Sequence, residues 1–545
     1  MTDPAPTLLT HPRFDGLAEL IWRKDPAAFT GPDAPPDVHD AIRHRLGWLD
    51  APAAASSHVD ALVAFAAEVR AAGLTHVILI GMGGSSLCAE VLRDVPGRAA
   101  DGCRLTVLDT TDERAIRETT EALVPKQALF LVASKSGTTL EISALEQHFW
   151  AVMQDAVGED AGRHFVAITD PDTALAKMSA ERQYRRTFIN PPDIGGRYSA
   201  LSLFGLVPAA LLGWNLPALA LSATRMADAC RAEGAANSAL ALGAFMAANA
   251  KIGRDKLTLL LPKELTAFGA WVEQLVAEST GKKGEGVLPV VGEPFGPARE
   301  YGADRAFVAV PDSAGGEVMR LARDLEKAGH PVFMIEASPA DLGGEFFRWE
   351  FATAAAGAML DLNPFDEPNV REAKTRTLSQ LVVRASTGAF RFEPPLERGA
   401  GYSRREFRPD ELPPADRSRY LAVLDFLPAD PKRTALFDRF RAQIRQHLGL
   451  ATTHGVGPRY LHSTGQFHKG GPNTGIFVLL TAADASHTPV PGAGYTFSVL
   501  KQAQALGDFD ALVANGRQVV HYHLDDPTAE FTTTLQKLIE GIRSV

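Results

Sequence analysis

The chain has 545 residues, enough for three to four units at about 150 residues each. Charged residues make up 22% and apolar ones 46%, as in ordinary soluble globular proteins, and the formal charge of −10 argues against a general binder of nucleic-acid backbone. Three cysteines (Cys88, Cys103, Cys230) build neither a disulfide framework nor a zinc template. The opening MTDPAPTLLTHPRF lacks the basic head and apolar run of a secretory signal, so the expectation is a cytoplasmic enzyme.

Residues 1–55 are rich in Pro, Ala and Asp and read as an extended arm with a short helix around 36–46. From residue 59, short apolar runs alternate with amphipathic stretches, the texture of βα units on a parallel sheet. Strands are predicted at 75–80, 104–108, 127–133 and 164–169, and a long helix after Arg197. Residues 204–223 are nearly long enough to span a bilayer, but Pro208, Asn215, Pro217 and two glycines favour a buried helix ending near Gly213. A second set follows a helix near 237–251, with strands at 256–262, 306–310 and 331–336. The Pro-, Arg- and Glu-rich stretch 387–418 reads as a surface excursion. Strands at 420–427, 475–481 and 519–524 and a helix near 527–543 close the chain.

Six strings offer chemistry. ILIGMGGSSL (78–87) ends a strand, turns on glycines and opens a helix at Ser85 and Ser86, a place for an anion or simply a tight capped turn. SKSGTT (134–139) follows the next strand but one and supplies Ser134, Lys135, Ser136, Thr138 and Thr139. Hydroxyls, loop N–H groups and one ammonium match the demands of a phosphate monoester. Two such loops at one end of one sheet favour phosphate over a plain polar loop. GGRYS (195–199) places Arg197 where loop meets helix, able to stabilise an oxyanion or to cap. ESTGK (278–282) offers Glu278 as a general base or a surface carboxylate. NPFDEPNVREAK (363–374) sets Lys374 in a helix after Pro368, and HSTGQFHKGGPNTG (462–475) is a glycine-rich loop with two histidines. His521 and His523 share one strand face and, without a third ligand, make a poor metal site.

In this order the strings resemble the glucose-6-phosphate isomerase family, with the closest likeness to the isomerase portion of bacterial bifunctional transaldolase/phosphoglucose isomerases. HRLGWLD (44–50) also looks like that group. The resemblance implies an α/β fold of two doubly wound sugar-isomerase (SIS) units, divided as an arm at 1–55, SIS units at 56–235 and 236–386, and a C-terminal α/β segment at 387–545. It implies a phosphate site at Ser85, Ser134, Lys135, Ser136, Thr138 and Thr139, with Gly84, Gly196 and Glu367 lining the substrate. It implies Glu278 as base, Arg197 as enediolate stabiliser and Lys374 as an aid to ring opening. Glu367 stands where the family often has Gln, and a carboxylate there would raise the pKa of Glu278 if the two lie close.

The family's ring-opening histidine usually precedes the lysine, in a TNGQH-like string. The similar string here, STGQFH, follows Lys374, so the role falls to His468, with His462 as the fallback. In the family this histidine commonly comes from the partner subunit, which implies a homodimer. The implied reaction interconverts glucose 6-phosphate and fructose 6-phosphate in the cytoplasm, without metal, nucleotide, nucleic acid or membrane. A non-catalytic phosphosugar-binding regulator, an isomerase also accepting mannose 6-phosphate, and an amidotransferase-type amino-sugar isomerase are the alternatives. The last lacks a visible glutaminase segment.

Overall fold

The computed structural model describes residues 15–31, 34–393, 395–399, 402–410, 419–484 and 486–525. Five strands, β1 (His76–Gly81), β2 (Arg104–Leu108), β3 (Ala128–Ala133), β4 (Phe165–Thr169) and β5 (Arg186–Ile189), form a first parallel sheet in the order β2-β1-β3-β4-β5. Residues of β1, β3 and β4 are buried throughout, because helices cover both faces. β2 follows β1 on one side while β3 lies on the other, so the direction in which strands are added across the sheet reverses there. Gly81 pairs with Ala133, which sets the loops 82–86 and 134–139 side by side at the carboxyl edge.

A second parallel sheet holds β6 (Lys256–Leu260), β7 (Leu288–Val290), β8 (Arg305–Ala309) and β9 (Val332–Met334) in the order β7-β6-β8-β9. Helix Leu342–Met359 is buried along almost its whole length and packs against helices Leu216–Ala229, Ser238–Lys251 and Thr266–Thr280. A third sheet contains β10 (Glu397–Arg398), β11 (Tyr402–Phe407), β12 (Tyr420–Asp425), β13 (Ala451–Val456), β14 (Gly475–Ala482) and β15 (Gln518–Leu524). Its order is β10-β11-β15-β14-β12-β13. The strands β12 to β15 run parallel, and β10 and β11 are antiparallel additions at one edge.

The apolar strand predictions fall on β1 to β4, β6, β8, β9, β12, β14 and β15. Five strands escape them, β10 and β11 within the 387–418 stretch and three elsewhere. β7 is three residues long and contains Pro289, β13 (ATTHGV) is mostly polar, and β5 (RTFI) is only partly buried. Two readings need correction. Part of the 387–418 excursion is strand β11, which buries Ser403 and Arg405 against β15 in an alternating pattern. Nor is the described part of 1–55 an extended arm. Leu17, Ala18, Ile21 and Phe29 enter the core, and helix Ala51–Ala71 begins before residue 59. The 204–223 segment divides into helices Leu203–Leu211 and Leu216–Ala229, and no described helix is long and apolar enough to cross a membrane. The helix predicted near 527–543 lies outside the described residues.

Candidate active site

The two loops at the edge of the first sheet are held by close backbone approaches. Gly83 has φ +55°, and a Cβ there would stand 2.6 Å from Gln274 Nε2. A Cβ on Gly84 would sit 1.9 Å from the Gly196 carbonyl oxygen. Glycine at both places lets the Ser85 loop, the Arg197 loop and helix Thr266–Thr280 converge. In the neighbouring loop, Ser134 Oγ accepts from the Gly137 amide at 3.1 Å, and Ser136 Oγ accepts from the Thr138 amide and hydroxyl at 3.3 and 3.1 Å. Lys135 departs from expectation. Its ammonium pairs with Asp170 and donates to the Pro192 carbonyl at 2.8 Å, so it ties down the loop instead of facing the hydroxyls.

Arg197 is 5% exposed and spends its whole fork within the protein. Nε donates to Ser279 Oγ at 2.8 Å, and Nη2 donates to the carbonyls of Pro364 and Asp366 at 2.7 and 3.0 Å. Nη1 meets Glu278 Oε1 at 3.1 Å and Glu367 Oε2 at 3.3 Å. Burial works against its charge, but Glu278 and Glu367 hold the guanidinium above its usual pKa. Glu278 is 7% exposed, near the end of its helix, and burial raises its carboxyl pKa; Arg197 opposes this and Glu367 adds to it. A buried carboxylate of raised pKa is suited to taking a proton from carbon near neutral pH.

Gln274, one turn earlier on the same helix face, donates Nε2 to Glu278 Oε2 at 3.0 Å and to the His462 carbonyl at 2.7 Å. His462 Nε2 lies 2.9 Å from Glu141 Oε1, which also accepts from Gln504 Nε2 at 2.7 Å. Burial works to raise the Glu141 pKa, but His462 beside it holds the carboxyl below its usual value. Thr138, Thr139, Lys374, His462 and Gln504 line one cleft. Lys374 is exposed there, and its charge reaches Glu141.

His468 is elsewhere. Residues 465–470 form a short helix rather than an open loop, and it turns the His468 ring inward. Its Nδ1 and the Tyr420 hydroxyl hydrogen-bond at 2.9 Å, and the ring packs on Phe477. Burial, with help from Lys469 and Arg517, keeps it neutral far below its ordinary pKa. The imidazole that reaches the cleft is His462, the fallback, and it does so within one chain. His521 and His523 both meet Thr481 Oγ1, at 2.7 and 2.8 Å.

Sequence reasoning missed Glu141, Gln274, Gln504 and Lys282. Two had a signal: Glu141 lies two residues past Thr139, and Gln274 lies four before Glu278, the spacing of one helical turn. Lys282 is buried, donates to the Asn363 carbonyl at 2.6 Å and pairs with Asp366 at 2.7 Å. Burial, reinforced by Arg197, brings its pKa down to about 8.

A proton moved between neighbouring carbons of a sugar phosphate needs a phosphate grip, a buried base and a cation for the developing oxyanion. That requirement places the protein among the aldose–ketose isomerases. The phosphoglucose isomerase family model matches residues 59–287. A glucose-6-phosphate isomerase of Rubrobacter xylanophilus is 30% identical over 376 residues, which are 59% of this chain and 86% of that protein. The chain belongs to the phosphoglucose isomerase family. Two solved structures share the fold. A hypothetical protein from Thermus thermophilus superposes with a TM-score of 0.57 at 24% identity, over 69% of this chain and 97% of that one. A glucose-6-phosphate isomerase from Chlamydia trachomatis does so with a TM-score of 0.50 at 21% identity, over 68% and 78%.

Proposed function

We propose that the chain interconverts glucose 6-phosphate and fructose 6-phosphate by ring opening and a cis-enediol intermediate. The observation that carries the reading is the hydrogen-bonded line from Glu278 through Gln274 to His462, with Arg197 on the base and Glu141 on the imidazole. Ser85, Ser134, Ser136, Thr138, Thr139 and nearby backbone N–H groups receive the phosphate. Binding energy from that non-reacting group positions the sugar. His462, oriented by Glu141 and aided by Lys374, gives a proton to the ring oxygen while water takes the one that the C1 hydroxyl loses, which opens the aldose. Glu278 then removes the C2 hydrogen as a proton and returns it to C1, while the O2 proton passes to O1. Arg197 offsets the charge that builds on the two oxygens.

A binding-only regulator has no use for a buried carboxylate held on an arginine beside an imidazole–carboxylate pair. The homodimer expectation rested on a histidine supplied by a partner. Here His462 and Gln504 arrive from the third sheet unit of the same chain, so the catalytic unit we propose is a single chain. Three buried free cysteines fit a reducing cytoplasm.

The test is turnover of fructose 6-phosphate by the pure protein, read by a coupled glucose-6-phosphate dehydrogenase, with and without a chelator. Chelator-resistant turnover is expected. Absence of turnover, with fructose 6-phosphate still raising the melting temperature, would replace the reading with a regulator.

A further inference from the structure

His462 ends a short helical turn, Arg459–His462, whose first residue makes an ion cluster that the scheme above leaves unused. Arg459 Nη2 pairs with Glu90, on helix Leu87–Asp94 that follows the Ser85 loop, and its Nε lies 2.6 Å from Asp109 Oδ2, just past β2. The Ser86 hydroxyl, in that same loop, donates to Asp109 Oδ2 at 3.4 Å. From helix Thr266–Thr280, Glu273 faces the charges of Arg441 and, less strongly, Arg459, and accepts from the Ser463 hydroxyl at 3.4 Å. Two carboxylates, one on a helix and one just past a strand, thus pair with one guanidinium, and Glu273 adds to the negative field around it. Asp109 and Glu90 hold its charge in place although burial works against it.

We propose that Arg459 is a positioning residue for ring opening: clamped by Glu90 and Asp109, it fixes the turn that carries His462 and ties it to the loop that receives the phosphate. The proposal rests on the isomerase reading above. Two features argue for it. The turn and the two carboxylates paired with it, Glu90 and Asp109, lie 350 residues or more apart in sequence, yet Arg459 bridges them directly. Without the guanidinium, Glu90 and Asp109 would face one another as like charges, and the turn would lose the contacts that seat it. A shift of about 1 Å in a catalytic group costs on the order of 100-fold in rate.

The experiment compares Arg459→Met with wild type on two substrates, fructose 6-phosphate and its 5-deoxy analogue. The analogue has no C5 hydroxyl and a blocked C6 oxygen, so it cannot close a ring and bypasses the step assigned to His462. With fructose 6-phosphate, kcat is expected to fall about 10- to 100-fold while KM changes less than about threefold. With the open-chain analogue, both constants should stay within about threefold of wild type. Equal losses on both substrates, or no loss on either, would overturn the proposal. Wild type inactive on fructose 6-phosphate would instead sink the isomerase reading. Should Arg459→Met not fold, the pair Glu90→Gln/Asp109→Asn removes the same clamp from its other side. The same substrate split is then expected, and its absence counts equally against the proposal.

Discussion

Glu278 and Glu367 share one nitrogen of Arg197. Nη1 lies 3.1 Å from an oxygen of the first and 3.3 Å from an oxygen of the second. Glu278 is buried, whereas the Glu367 side chain keeps 29% of its surface exposed. The proposed base is therefore neutralised by a guanidinium that it does not own alone, and a like charge sits across that guanidinium.

Replacing Glu367 with Gln removes the like charge and leaves Arg197 to Glu278. Both effects lower the pKa of Glu278, which Glu367 now helps to raise. The base acts as carboxylate, so activity falls as pH drops through its pKa. The acid limb of kcat/KM in Glu367→Gln should move to lower pH, as a profile from pH 5 to 9 would read. A limb that stays put or moves up would show that Glu367 does not act on Glu278.

Glu278→Gln removes the base and keeps the shape. Loss of a general base is worth about 10²–10⁴-fold, and kcat should fall by at least that. Circular dichroism and thermal unfolding should show a folded protein. Turnover unaltered in the folded variant would remove Glu278 from the mechanism.

The two histidines should part company. His462→Asn breaks the contact to Glu141 and should cost activity on fructose 6-phosphate without a large loss of stability, since the side chain sits at the cleft. His468→Phe keeps an aromatic ring in its packed place but leaves the Tyr420 hydroxyl without that partner, at a cost of about 1–3 kcal/mol. Its kcat per folded molecule should remain near wild type. The reverse pattern in the coupled assay would restore His468 to the site.

That swap marks the limit of what the sequence could tell. The apolar strands β1, β3 and β4 are legible because each is buried on both faces and carries no competing signal. Glu278 and Arg197 stand out because glycines lie near them, and the structure pairs the two beside the Ser85 loop. His468 stood out for the string STGQFH, but which imidazole faces the cleft depends on the turn of a six-residue helix against Tyr420 and Phe477, and no local pattern encodes that. Lys135 has the same lesson. An ammonium in a hydroxyl-rich loop suits phosphate, yet Asp170, 35 positions later, takes it. Strand β11 was hidden because buried Arg405 reads as a surface charge until Phe509 is seen 3.6 Å beneath its guanidinium.

Glu350 offers a test of stability rather than turnover. It sits fully buried on helix Leu342–Met359, and among the described residues neither carboxyl oxygen has a well-aligned hydrogen-bond partner. Burial raises its pKa well above 4.5, and the nearby Ala200 amide offsets only part of that. The folded state therefore holds a proton that the unfolded chain releases. The stability linked to that proton is complete below about pH 4.5 and is lost as pH rises towards the folded-state pKa. Glu350→Gln is neutral at every pH and escapes the penalty. Its melting temperature should exceed that of wild type at pH 8, and the gap should shrink towards pH 5. A gap constant with pH would mean that the Glu350 carboxyl ionises in place, at no cost to the fold.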